Sequence, residues 1–415
     1  MVSVTEQPAA PAESTRPEPE RVPKLVGAAW VLMLVNTLGS QGPQTILPIP
    51  RPLIQMITMG AVGAAFVLAL VVNPRVQLRP SAYLLMLTVL VVVSFASSGQ
   101  LTGGLGSLFR SFRFALFVTT LWLLTRWWGN GMVFVRHHVR FLGAVLATVA
   151  VGLVVAPGLA RPSLYDGRLV GVIWPLTAPQ VGQYGAIVAG LVVMLWLSKL
   201  TDGRSVALIA GPAVVLLLLS HTRTATLGLV VGLLVAGLSL FLTNARARRA
   251  FAWGTIVVGV VAVGFASAVQ TWVLRGQDTE NFANLTGRQK TWNALLDQPR
   301  SLMQEVFGLG LTNKSFNGLP IDSSWLSVYY EQGLVGVALV ALFLLTLVVI
   351  AALRPPSPAR ACAVFLIVYC LVSSYTESGL GDASPYLLHL AIAAALLTRR
   401  APAESELDRP QRIPR

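Results

Sequence analysis

Apolar residues run along this chain in long stretches, and charged residues gather between them. Twelve stretches are long enough to cross about 30 Å of hydrocarbon as helices, once tilt and one or two charged ends are allowed. They cover roughly 25–41, 53–72, 81–97, 108–128, 139–157, 180–198, 206–221, 223–243, 252–274, 323–353, 361–377 and 385–398. Two are short and one, 323–353, is over-long; its first turns, Ser323 to Gln332, belong at an interface, with the span proper starting at Gly333. The pattern predicts an all-α polytopic membrane protein with about twelve transmembrane helices. A large outer loop, 275–321, separates helices 9 and 10, and a smaller one covers 158–179. Residues 1–23 are rich in Pro, Ala and Glu without apolar periodicity, so they read as a disordered cytoplasmic tail. They lack the basic segment and apolar core of a signal peptide. Residues 401–415 form a second cytoplasmic tail.

Composition agrees. The 415 residues are 54% hydrophobic and 12% charged, about half the charge of an ordinary soluble chain, and the mean hydropathy is +0.69. A soluble enzyme, a disordered protein and a disulfide scaffold are excluded together; Cys362 and Cys370 share one apolar run and give no disulfide or metal framework. The net charge of +14 does not call for nucleic acid, because polytopic membrane proteins keep Lys and Arg in their inner loops. With the N-terminus in the cytoplasm, 20 of the 31 Lys and Arg fall inside and nine outside, and Arg110 and Arg113 lie within a span. Each inner segment holds at least two, and both termini are inside.

The outer positives run against that rule and need a reason. Arg168 sits in Gly167-Arg168-Leu169-Val170-Gly171, ahead of Thr177-Ala178-Pro179-Gln180. Arg223 sits in the tight turn Ser220-His221-Thr222-Arg223-Thr224. Arg288 sits in Thr286-Gly287-Arg288-Gln289-Lys290-Thr291-Trp292. Three guanidiniums on one side can converge on an anion, which they match bidentately at any relevant pH; each alone also fits a helix cap or a side chain snorkelling to headgroups. The long loop ends in Ile321-Asp322-Ser323-Ser324-Trp325-Leu326, followed by Glu331-Gln332-Gly333-Leu334-Val335-Gly336.

That ending resembles the signature of the O-antigen ligase and O-antigen polymerase superfamily, bacterial membrane glycosyltransferases that use polyprenyl-diphosphate-linked glycans. Its pattern is a His, sometimes Asp, then Asn or Ser, a Leu, and Glu-x-Gly-x-x-Gly entering a span. Ser323, Leu326, Glu331, Gly333 and Gly336 fall on it, with Asp322 at the His position. Arg168 with Gly171 and Pro179 is similar to the family's Arg-x-x-Gly motif. Ser220 to Thr224 is similar to its Ser-x-x-Arg-Thr turn, Gly287-Arg288 with Trp292 to its Gly-Arg-x-x-x-Trp element, and Gly308-Leu309-Gly310 to its Gly-x-Gly. The match runs over roughly 160–340, in order.

The resemblance implies that residues 24–400 form a metal-independent inverting glycosyltransferase domain, with no cofactor. It would act on the outer face of the cytoplasmic membrane in cell-surface polysaccharide biosynthesis. A glycan would pass from an undecaprenyl-diphosphate-type donor to the hydroxyl of a glycan or lipid acceptor. The departing diphosphate gathers negative charge, which fixed cations in a dehydrated pocket stabilise; Arg168, Arg223, Arg288 and Lys290 are the candidates. The acceptor hydroxyl needs a positioned base. The family's base is the signature His, so Asp322 is the candidate here, although Asp is also a preferred N-cap and Asp322 stands where a helix begins. His221 is the rival base, being the one His near the outer surface; His137 and His138 fall in an inner loop and His389 in the last span. Glu331, Gly333 and Gly336 are supporting residues. Arg110 and Arg113 share one helix face near its outer end. Asp278-Thr279-Glu280 is an acidic pair of the kind some metal-dependent transferases use, but no second acidic cluster accompanies it. Two other classes compete: a twelve-helix flippase or transporter, which should show broken helices repeated in two halves, and a shape-elongation-division peptidoglycan polymerase, with an outer-loop Asp.

Overall fold

In its described part, each long apolar stretch contains a helix. The computed structural model describes residues 22–39, 44–99, 104–241, 244–264 and 288–398, and these are mostly helical. In chain order the helices are α1 (Lys24–Thr37), α2 (Arg51–Val72), α3 (Ala82–Ser98), α4 (Leu105–Leu124), α5 (Val133–Val155), α6 (Pro157–Ala160), α7 (Ala178–Leu197), α8 (Gly203–Leu219), α9 (Arg223–Phe241) and α10 (Ala245–Gly264). They continue as α11 (Arg288–Leu296), α12 (Leu302–Phe307), α13 (Ser324–Leu353), α14 (Pro358–Ser373) and α15 (Pro385–Leu397). Six of them, α2, α4, α5, α7, α9 and α13, are long and apolar enough to cross a membrane, and α1, α3, α8, α14 and α15 are shorter apolar helices. Most of both predicted tails, Arg275 and the Asp278-Thr279-Glu280 pair lie outside the described residues.

The helix starts follow their sequences. Ser81, Asp202, Ser357 and Ser384 each accept a hydrogen bond from a backbone N–H in the first turn of α3, α8, α14 and α15, satisfying donors that the helix ladder leaves open. Pro occupies the first turn of α7, α14 and α15, where its missing N–H costs nothing.

Around the centre, α7 packs against α8, α9, α5 and α14. It has 78% of its apolar window buried, against 33% for α2, α5 and α13, which makes α7 the core helix. Close approach depends on small residues there: a Cβ at Gly190 would lie 1.9 Å from the Phe365 ring of α14. Between α3 and α4 the packing is polar. Ser98 Oγ and Ser111 Oγ share a hydrogen bond of 2.9 Å, and Ser107 Oγ donates to Ser98 Oγ at 2.8 Å.

Connections meet at two opposite ends. At one, Ile46 N donates to Val172 O, Leu169 N to Leu219 O, and Ser324 N to Ser374 O, while Trp174 Nε1 donates to Gly39 O. At the other, arginine side chains donate to the carbonyls that close helices: Arg79 to Trp128 O, Arg246 to Trp196 O, Arg354 to Leu397 O and Arg360 to Ala351 O. Cations there meet the negative ends of the helix dipoles.

Three expectations are corrected. The segments expected as loops, 158–179 and 275–321, contain in their described parts most of α6, a turn at Ser163–Tyr165, α11, α12 and a two-stranded hairpin, Ser315–Phe316 against Leu319–Pro320. These pieces are too short to leave a hydropathic period. His137 and His138 lie inside α5 rather than in a loop, and His138 is buried with its Nε2 3.0 Å from His389 Nδ1. Finally, the helix-capping residue before α13 is Ser323, not Asp322: the Ser323 hydroxyl accepts from Leu326 N.

Candidate active site

Ser323 caps α13, so Asp322 lies one residue outside the helix and its carboxylate turns elsewhere. Arg288 Nε, at the first residue of α11, donates to Asp322 Oδ2 at 3.1 Å, and the two side chains stay 29% and 35% exposed. Asp322 and Arg168 line one cavity of about 450 Å³, together with Tyr165, Gln183, Glu377 and Tyr386. A cleft of that size, lined by a few convergent polar groups, is where a small-molecule site is expected.

Each wall is fixed by local chemistry. Arg168 follows Asp166 and Gly167, both at positive φ (52° and 67°), which turn the chain so that Arg168 enters the pocket. Its Nε donates to Ser220 O at 3.1 Å and its Nη2 lies 3.5 Å from Thr222 Oγ1, so the arginine spans to the turn that precedes Arg223. The α7 wall starts at Thr177, whose N–H donates to Gln180 Oε1 at 3.0 Å. Tyr386 arrives on the first turn of α15.

Glu377 is the residue that sequence reading passed over. It follows α14, on a turn held by its own N–H donating to Ser373 O at 2.9 Å. Its carbonyl accepts from Ser324 Oγ at 2.7 Å, which ties it to the start of α13. Desolvation pushes its carboxyl up to about 7, with Asp322 adding to the shift and Arg288 and Arg168 opposing it. Burial likewise holds the Arg168 guanidinium below the ordinary arginine value, with Glu377 and Asp166 opposing and the charges of Arg288 and Arg223 adding to the shift. Of the three predicted arginines only Arg168 lines the cavity; Arg288 reaches it through Asp322, and Arg223, at the start of α9, acts on Arg168 through its charge. A pKa perturbed by burial and specific partners, in a cleft, is a physical mark of a functional group.

The other predicted residues have other places. His221 takes φ +48° in the turn that joins α8 to α9 and is not among the residues lining the cavity. Lys290 is exposed on α11 and is also absent from the lining. Glu331 is 1% exposed and its Oε1 accepts from Thr312 N at 2.8 Å and Thr312 Oγ1 at 2.9 Å. Gly333, at φ +66° and ψ −164°, breaks α13. The carbonyls released there are taken up by the Gly-x-Gly segment: Leu309 N donates to Tyr330 O and Gly310 N to Glu331 O. That approach excludes side chains, since a Cβ at Gly333 would meet Val306 O at 2.3 Å and one at Gly308 would meet Gln332 N at 2.3 Å. Gly336 faces Gln332, whose Nε2 donates to Ser94 Oγ and Gly381 O. The Glu-x-Gly-x-x-Gly run is thus a dock that sets the chain entering Asp322.

Compared with known families and characterised proteins, the chain matches no family model and no curated protein.

Proposed function

We propose that this chain is a membrane glycosyltransferase that moves a glycan from a polyprenyl-diphosphate donor to an acceptor hydroxyl at the outer face of the cytoplasmic membrane. The observation that carries the reading is the cavity in which Arg168, Asp322 and Glu377 meet, with Arg288 on Asp322. In this reading α1–α5, α7–α10 and α13–α15 are twelve spans. The arginine-rich end, with both termini, is cytoplasmic, and the cavity lies at the other side. The positive-inside distribution supports that orientation.

The reaction forms a bond from the acceptor oxygen to the anomeric carbon and breaks the bond from that carbon to the diphosphate oxygen, with inversion. The diphosphate leaves with the bonding pair. Arg168, Arg223 and Arg288 stabilise its growing charge in a partly dehydrated site, where fixed cations act most strongly. The acceptor proton passes to a carboxylate. Glu377 suits that step, because a base with a pKa near 7 is half ionised at neutral pH and still basic enough to pull the proton. Asp322, engaged by Arg288, orients the arginine and the acceptor. No cofactor or metal enters the step.

The reading is tested in a strain lacking the chain, complemented with wild type, Arg168→Ala, Asp322→Asn or Glu377→Gln at matched membrane levels. The deletion should accumulate lipid-diphosphate glycan, wild type should clear it, and Arg168→Ala and Glu377→Gln should not. Rescue by all three variants would sink the transferase reading and favour a lipid-linked glycan flippase.

A further inference from the structure

A second cavity, of about 350 Å³, opens at the same end of the molecule and shares no lining residue with the first. Its charged residues are Arg110 and Arg113 of α4, Lys314 of the segment before the hairpin, and Asp382 of the segment before α15. Lys314 Nζ and Asp382 Oδ1 pair at 2.5 Å. Arg113 Nη2 donates to Asn36 O at 2.6 Å and lies 3.3 Å from Asn36 Oδ1, both uncharged acceptors, so its charge is not cancelled there. Among the described residues no carboxylate pairs with Arg110. Three cations thus face one carboxylate, and they remain in excess even when Glu331, which sits behind Thr312, is counted with it. An unbalanced cluster of cations in a cleft attracts an anion, and guanidiniums fit phosphate oxygens in particular.

The surroundings say how that anion is carried. Beside the cavity, α2 and α4 present Met56, Phe109 and Phe112, which are 68%, 55% and 57% exposed. Apolar side chains of that size at a cationic pocket suit a phosphate borne on an apolar tail. The two cavities are separated by the chain itself: residues 374–384 give Glu377 to the first and Asp382 to the second, and residues 311–322 give Asp322 to the first and Lys314 to the second.

We propose that the second cavity holds the phosphate of a second lipid, the carrier of the acceptor glycan, so that two lipid-linked glycans meet across the Glu377–Asp382 segment. The roles of donor and acceptor rest on the transferase reading; the binding of a lipid phosphate at Arg110 and Lys314 does not.

Native mass spectrometry of the purified full chain with undecaprenyl diphosphate counts the sites. Two tightly bound equivalents are expected. Arg110→Gln should weaken one of them about tenfold, Lys314→Gln should weaken the same one, and Arg168→Gln should weaken the other. Two variants from different segments guard against misfolding, and thermal melting of each checks it. Inorganic diphosphate and phosphatidylglycerol, each at the same concentration, should displace neither equivalent. A single equivalent lost in Arg168→Gln and kept in Arg110→Gln overturns the second site while leaving the transferase intact. A single equivalent lost only in Arg110→Gln upholds the site and sinks the transferase reading. Displacement of the Arg110-dependent equivalent by phosphatidylglycerol would make it an ordinary lipid contact, and displacement by inorganic diphosphate would remove the role of the tail; either overturns the proposal.

Discussion

Ser323 and Asp322 divide two tasks that one residue could have shared. The hydroxyl of Ser323 satisfies the helix and the carboxylate of Asp322 reaches Arg288. Removing the cap should lower stability by about 1 kcal/mol, so Ser323→Ala should melt about a degree below wild type in detergent, whereas Asp322→Asn should melt close to wild type while losing activity. Glu377 makes a different forecast. A carboxyl that titrates near pH 7 is protonated and useless as a base below that pH and ionised above it. The transfer rate should therefore rise with pH through about 7, and Glu377→Gln should lose both the rate and that limb of the profile. Arg168, Arg223 and Arg288 were legible in the sequence because they are cations on the outer side, against the positive-inside rule, and Asp322 because it closes the long outer loop just before an apolar run. Glu377 was not. It ends an apolar run like any boundary residue, and what makes it special is its burial on a turn tied to the start of α13, 53 residues earlier in the chain.

Among the elements, the break in α13 carries most of the site's geometry. Sequence placed the start of the span proper at Gly333, and the backbone turns there; the partner that needs the turn, the Gly308–Gly310 segment, was legible only as a motif. Gly333→Ala forces a Cβ against a backbone carbonyl at a positive φ, two costs that nothing flexible can relieve. It should destabilise the protein by at least about 2 kcal/mol, read as a fall in melting temperature. Gly60→Ala on α2, where a Cβ meets nothing within 4 Å, should leave the melting temperature level or raise it. The short pieces α6, α11 and α12 and the hairpin were illegible, since a few residues held by tertiary contacts leave no periodic trace.

At the scale of the molecule, arginines at both ends donate to carbonyls that close helices: Arg79, Arg246, Arg354 and Arg360 at one, and Arg113 and Arg168 at the other. If the first end is cytoplasmic, a cysteine placed at Asn317, on the hairpin turn, should react with an impermeant maleimide added to intact cells, and one at Ser205 should react only after the membrane is opened. Cys362 and Cys370 are buried and should give no background. Purified chain reconstituted in liposomes with undecaprenyl-diphosphate-linked glycan should yield a glycosidic product and free undecaprenyl diphosphate, with Arg168→Ala reduced at least a hundredfold. Intact donor after prolonged incubation with active, folded wild type, or equal turnover by Arg168→Ala, would contradict the transferase reading.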